Sequence, residues 1–208
     1  VQGISEDGRI WVGYNQTGDY DNNNLFHPVK WVDGVPELLP MPEASLRGVP
    51  FINGCMARGC SADGSVIYGS SWDNLDFGML YWKDGKVDWA GSDVRRIHTE
   101  INRYGEEEIC VGAMRCMADL TQISPNGKWI AGAYRYEIME DGNYHIETYP
   151  AVFNTETGKT VIIKDYGERV VSHITNDGIV CIANSSYLPN DGTNHYHKRR
   201  GQSADQKV

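Results

Sequence analysis

"CSADGSVIYGSSW" (residues 60–72) returns elsewhere in the chain as "ISEDGRIWVGYNQ" (4–16), "ISPNGKWIAGAYR" (123–135) and the shorter "ITNDGIVCIANSS" (174–186). All four versions share one order of residue types. A small or polar triplet comes first (Gly3-Ile4-Ser5, Gly59-Cys60-Ser61, Gln122-Ile123-Ser124, His173-Ile174-Thr175). An Asp-Gly or Asn-Gly pair follows at 7–8, 63–64, 126–127 and 177–178. Such pairs accept the positive φ of a tight hairpin turn. A β-rich run then begins: Ile10-Trp11-Val12, Val66-Ile67-Tyr68, Trp129-Ile130-Ala131 and Ile179-Val180-Cys181.

A second hairpin follows the first three phrases, in "PVKWVDGVPELLP" (28–40), "GMLYWKDGKVDWAG" (78–91) and "PAVFNTETGKTVII" (150–163). Each carries an aromatic near the end of its first strand, Trp31, Trp82 or Phe153, and then turns at Asp33-Gly34, Asp84-Gly85 or Thr157-Gly158. One unit is therefore four antiparallel strands, A to D. The leading turns begin at 7, 63, 126 and 177, so the unit recurs after 56, 63 and 51 residues. That grammar predicts an all-β chain folded as a β-propeller of four-stranded antiparallel blades. The competing reading, a non-repetitive β-sandwich, needs turns but not the same turns in the same order.

The predicted blades span 1–40, 55–91 and 116–165, with a partial fourth at 170–190 and a flexible tail at 191–208 that has no strand pattern. Closed propellers have about four to eight blades. Three and a half blades leave an open edge, so the expectation is part of a larger propeller.

The phrase "ISPNGKWIAGAY" resembles the repeat of TolB-type, WD40-like propellers. "ISEDGRIWVGY" and "CSADGSVIYGSSW", each followed by an aromatic Asp-Gly hairpin, are similar to the extracellular HAF repeats. The resemblance covers nearly the whole chain and implies a bacterial secreted, periplasmic or outer-surface propeller, such as a lipoprotein. It implies no catalytic residue, because propellers host unrelated functions.

With 208 residues and a net charge of −9, the chain lacks the basic surface of a general nucleic-acid binder. No stretch has the roughly 18 apolar residues of a transmembrane helix. The chain opens on Val1, which leaves room for a removed targeting segment.

No G-x-S-x-G elbow, H-E-x-x-H or phosphate-cradling glycine loop is present, so no catalytic residue, metal ligand or cofactor is assigned. "DYDNNN" (19–24) has alternate acidic spacing, but Asn24 and Lys30 stand where a calcium loop needs Gly and Glu. A surface turn is the leading reading there, and the His195/His197 pair reads as solvated. Among the cysteines, a Cys110–Cys116 bridge across a local loop is one option; Cys60 and Cys181 read as buried small residues.

In a four-stranded blade the A–B and C–D turns share one end and are short here. The B–C loops and D-to-A crossovers share the other end and are long: 15–27, 72–77, 135–149 and 186–194 within blades, 41–54 and 92–115 between them. Long loops on a rigid scaffold are where binding concentrates. The candidate ligand-binding residues are accordingly Tyr14, Trp72 and Phe77 on the loops, with Arg58, Arg115 and Asp119 beside the repeated "CMA" segments (55–57, 116–118). Each has a plainer reading as packing, and strand tryptophans 11, 31, 82 and 129 read as blade-to-blade core. The leading function is non-catalytic binding of a protein, peptide or glycan. The alternative is a glycan-active hydrolase, or the propeller portion of a peptidase, completed by residues outside this chain.

Overall fold

Each residue of the Ser-x-Asp/Asn-Gly phrase has a physical task. In the first turn, the Gly8 N–H donates to the Ser5 carbonyl at 3.0 Å. Gly8 has φ +73°, a region that costs an L-residue energy. The Ser5 hydroxyl accepts the Ile10 N–H at 2.9 Å and donates to Asp7 Oδ1 at 2.6 Å. Asp7 in turn accepts the Arg9 N–H at 3.0 Å. The same set recurs around Ser61/Asp63 and, with an amide for the carboxylate, around Ser124/Asn126. Thr175 keeps the hydroxyl acceptor for the Ile179 N–H, one residue closer in sequence. These are therefore side-chain-completed turns, not the two-residue hairpins that Asp-Gly alone predicts. The two-residue type occurs at the C–D positions, where Asp33, Gly34, Asp84 and Gly85 all have positive φ.

A computed structural model describes residues 1–17, 25–43, 54–71, 78–91, 94–101, 104–105, 107–140, 143–167, 169–184 and 205–207. Sheet 1 holds β1 (Gly3–Ile4), β2 (Ile10–Thr17), β3 (Leu25–Val32) and β4 (Val35–Leu38) in chain order. Sheet 2 repeats the plan with β5 (Cys55–Cys60), β6 (Val66–Ser71), β7 (Met79–Lys83) and β8 (Lys86–Trp89). Sheet 3 contains β9 (Val94–Ile101), β10 (Glu107–Ile123), β11 (Trp129–Glu140), β12 (Asn143–Asn154) and β13 (Lys159–Ile162), with β9 added outside β10. After a single 3-10 turn at Lys164–Tyr166, sheet 4 holds β14 (Arg169–Ile174), β15 (Ile179–Asn184) and β16 (Asp205–Lys207). All strand pairs within these sheets are antiparallel. The fold is all-β and propeller-type.

Consecutive sheets stack face to face in chain order. Val12 packs with Cys55, Ala57, Ile67, Leu80 and Trp82 between sheets 1 and 2. Val66, Tyr68 and Met79 meet Met117, Ile130, Tyr134 and Phe153 between sheets 2 and 3. Ala131 and Val152 meet Val171, Val180 and Ile182 between sheets 3 and 4. The turns are also linked directly. The Glu6 N–H donates to the Ala62 carbonyl and the Ala62 N–H to the Pro125 carbonyl, at 2.8 and 2.9 Å. Pro125 has no N–H, and there the Asn126 N–H donates instead to Asn176 Oδ1 at 2.8 Å.

Several expectations change. Residues 135–149 are not a wide loop: β11 and β12 pair continuously from Trp129↔Asn154 to Glu140↔Asn143. The crossover 92–115 is largely β9 and the first half of β10. Cys110 and Cys116 lie on that single strand, on the order of 20 Å apart, which excludes a bridge between them. Within the expected strandless tail, Asp205–Lys207 pairs with Ile179–Cys181 and so occupies an otherwise open edge of β15. Of the tryptophans expected in the core, Trp82 is buried, Trp31 and Trp129 are half-buried, and Trp11 is exposed.

Candidate functional site

Strand A carries a feature that propensity does not reveal. In β5, β10 and β14 the strand register skips a residue three positions before the turn Ser or Thr, Arg58, Thr121 and Ser172, and β10 skips Ala118 as well. Such a bulge re-aims the extra side chain. The hydroxyl of Thr121 donates to the Val171 carbonyl, joining sheets 3 and 4. Arg58 instead places its guanidinium 6.0 Å from the centroid of the Tyr14 ring on sheet 1. Tyr14 meets Phe26 edge-on at 5.5 Å. Phe26 lies across from Gln16 on β3, so this aromatic pair sits at the loop end of sheet 1.

A second cation–aromatic group occupies the corresponding end of sheet 3. Tyr134 and Tyr136 share a face of β11, and Tyr149 lies directly across from Tyr134 on β12. The rings of Tyr134 and Tyr136 are 5.0 Å apart, and those of Tyr136 and Tyr149 are 5.7 Å apart. Lys164, just past β13, brings its Nζ to 5.4 Å from Tyr136 and 5.9 Å from Tyr149. The Tyr149 hydroxyl donates to Glu147 Oε2 at 2.8 Å. Tyr134 is buried, whereas Tyr136, Tyr149 and Glu147 are half-buried and Lys164 is exposed. Flat rings flanked by a cation and a carboxylate can stack on a sugar ring or an aromatic side chain while bonding its polar groups.

The sequence-derived candidates therefore separate. Tyr14 and Arg58 come together. Trp72 and Phe77 lie outside the described residues, as do the 19–24 stretch and the His195/His197 pair. Arg115 and Asp119 lie on β10 across from Tyr136 and Ala133, with side chains outside the described set. In the two "CMA" segments Met56 and Met117 are both buried. Phe26, Tyr136, Tyr149 and Lys164 were not among the candidates. For Tyr136 a signal was present in the period-two alternation of "AYRYE" (133–137), which marks a strand face.

The opposite end offers little chemistry. The Ser5 hydroxyl, then the Arg9 N–H, hold the Asp7 carboxyl below its usual range. Asp63 is lowered in the same way by Ser61 and Ser65. Arg9 forms a two-armed ion pair with Asp33 at 2.8 and 2.6 Å, exposed on both sides. On β5, burial pushes the Cys60 thiol near the turn up to about 11 and the Cys55 thiol, across from Ser71 at the loop end, up to about 12, away from nucleophilic use. Among the described residues no group of three or more His, Cys, Asp or Glu converges as a metal site. No helix there is long and apolar enough to cross a membrane.

No family model matches the chain, and no curated protein is similar to it at the significance required. Among solved structures, TolB from Acinetobacter baumannii is similar over 88% of this chain and 50% of its own, at 16% identity and a TM-score of 0.27. The chain thus spans about half the length of that protein.

Proposed function

We propose that the chain is a non-catalytic propeller-type scaffold that binds a protein, peptide or glycan through the end opposite its Ser-x-Asp/Asn-Gly turns. The observation that carries this reading is the pair of cation–aromatic groups, Arg58–Tyr14–Phe26 and Lys164–Tyr136–Tyr149, on two sheets at that end. Each presents ring area fixed by strand pairing, so little ordering is needed on binding. At the turn end the Ser, Asp and backbone groups bond one another, which leaves few of them for a ligand. An extracytoplasmic location belongs to the same reading and is supported by the likeness of the turn phrases to extracellular repeats.

The test is titration calorimetry against a panel of soluble oligosaccharides and a panel of aromatic-containing peptides. One panel is expected to contain a binder whose affinity drops about tenfold or more in Tyr136→Ala and Lys164→Ala and is unchanged in Lys86→Ala. Equal binding by all three variants would overturn the site. Turnover of a panel member by the wild type would favour the hydrolase alternative.

A further inference from the structure

Among the described residues, six turns join Asp or Asn to Gly: 7–8, 33–34, 63–64, 84–85, 126–127 and 177–178. Such a pair can close on itself. The glycine nitrogen bonds to the side-chain carboxyl carbon and gives up its proton while the carboxyl OH leaves, so that one water departs. Water then reopens the five-membered imide. Reopening at the main-chain carbonyl routes the chain through the side chain, as isoaspartate with the same atoms as before. From Asn the closure expels ammonia instead of water. Glycine permits the attack because no Cβ crowds its nitrogen. Three features oppose it: a hydrogen bond that holds the glycine N–H, bonds that fix the side-chain oxygens and, for Asp, a negative charge, because the leaving oxygen must carry a proton.

The four phrase turns carry the first protection. Gly8, Gly64, Gly127 and Gly178 donate their N–H groups to the Ser5, Ser61, Ser124 and Thr175 carbonyls at 3.0, 2.9, 2.8 and 3.1 Å. In three of them the side chain is tied as well. Asp7 accepts from Ser5 and Arg9, Asp63 from Ser61 and Ser65, and Asn126 from Ser124 and Lys128. These bonds also hold the Asp7 and Asp63 carboxyls below their usual range, in the charged form that cannot shed water.

The two-residue C–D turns lack that first protection. Among the described residues nothing accepts the Gly34 or Gly85 N–H, and a Cβ added at either glycine would meet nothing within 4 Å. Asp33 and Asp84 share a left-handed conformation, with φ 50° and 52°. What separates them is the residue after the leading turn glycine. In sheet 1 this is Arg9, which grips both Asp33 oxygens at 2.8 and 2.6 Å and holds that carboxyl below its usual range. In sheet 3 it is Lys128, which reaches Glu156 of the C–D turn at 3.2 Å. In sheet 2 it is Ser65, whose short side chain bonds to Asp63 instead. Asp84 is exposed, and among the described residues no donor reaches its carboxylate.

We propose that Asp84 is a modification site, the position among these six turns where isoaspartate forms in the folded chain, and that the bonding of the Ser-x-Asp/Asn-Gly phrase protects Asp7, Asp63 and Asn126. Isoaspartate adds a methylene to the main chain of a turn closed by the Lys83↔Lys86 pair. The change falls at the turn end of sheet 2, away from the cation–aromatic groups.

The test ages the folded chain at mildly acid pH beside a sample kept in urea, then digests both and counts isoaspartate at each pair by electron-transfer mass spectrometry. In the folded chain isoaspartate should build up at Asp84 about tenfold or more faster than at Asp7, Asp63 or Asn126. In urea Asp7, Asp33, Asp63 and Asp84 should age alike, since each precedes a glycine, and Asn126 should deamidate. Arg9→Ala should speed the reaction at Asp33 about threefold, and Ser65→Arg, which places the counterpart of Arg9 beside Asp84, should slow it there by a similar factor. Asp7 or Asp63 ageing as fast as Asp84 in the folded chain would overturn the proposal. So would isoaspartate at Asp84 in the urea sample alone, which would mean that the C–D turn is as well protected as the phrase turns.

Discussion

The two ends of the sheets are built on different principles. At the turn end, hydroxyl, carboxylate and backbone N–H groups bond one another within four or five residues, and the phrase repeats with little change. At the loop end, side chains from distant segments meet: Arg58 with Tyr14 and Phe26, Lys164 with Tyr136 and Tyr149. The first end spends its polar groups on folding and on joining neighbouring sheets. The second leaves ring faces and charges partly in solvent. Stability and recognition are thereby carried by different residues, and substitutions should separate them.

The largest effect is expected at Gly64. Its φ is +69°, and an added Cβ would lie 2.5 Å from the Ile10 side chain of sheet 1. Gly8 has the same conformation, φ +73°, with nothing within 4 Å. Gly64→Ala combines backbone strain with overpacking and should cost about 2–4 kcal/mol. Gly8→Ala should cost only the strain, about 1 kcal/mol. Urea unfolding of both variants measures the difference; equal losses would mean that the second turn is not wedged against sheet 1.

Ser61→Ala comes next. The hydroxyl is buried and accepts the Val66 N–H at 3.0 Å while donating to Asp63. Its removal leaves a buried N–H without an acceptor and should cost about 1–3 kcal/mol. A loss under about 0.5 kcal/mol in the same assay would argue that the hydroxyl is dispensable to the turn.

At the loop end the expectation reverses. Lys164→Ala removes an exposed cation–aromatic contact and should shift stability by no more than about 0.5–1 kcal/mol. A larger drop in thermal melting would make that group structural and weaken its assignment to binding.

What the sequence disclosed follows the same division. The turn chemistry is local, so Ser-x-Asp/Asn-Gly, with Thr175 for Ser in the fourth phrase, announced four turns and, through their spacing, the stacked sheets. Tyr14 and Arg58 were picked out for loop position and for the neighbouring "CMA" segment, yet they meet because a bulge in β5 re-aims Arg58 across a sheet joint. Bulges and inter-sheet contacts leave no compact mark in a sequence. The Tyr136–Tyr149 group was missed because 135–149, which holds Glu137, Glu140 and Asp141, was read as a loop, although the same residues alternate as a strand. Trp11 was read as core because its repeat counterparts are core. Position in the array, not the phrase, decides whether that site is covered.

The smallest effect concerns pH. Ser61 first, and the Ser65 backbone next, hold the folded Asp63 pKa below the ordinary 3.8. A carboxylate lowered on folding contributes stability above its unfolded pKa and loses it as pH falls through the folded value. Wild-type stability should therefore decline as pH drops below about 3.8, with Asp7 contributing in the same direction. The third turn performs the same task with Asn126, which accepts from Ser124 and from the Lys128 N–H without titrating. Asp63→Asn should accordingly fold with the same turn geometry but lose less stability than wild type between pH 6 and pH 3. Chemical denaturation midpoints at those two values provide the comparison. An identical drop in both proteins would show that the Ser61 hydroxyl does not favour the ionised form of Asp63, and that the phrase tolerates Asp and Asn for some other reason.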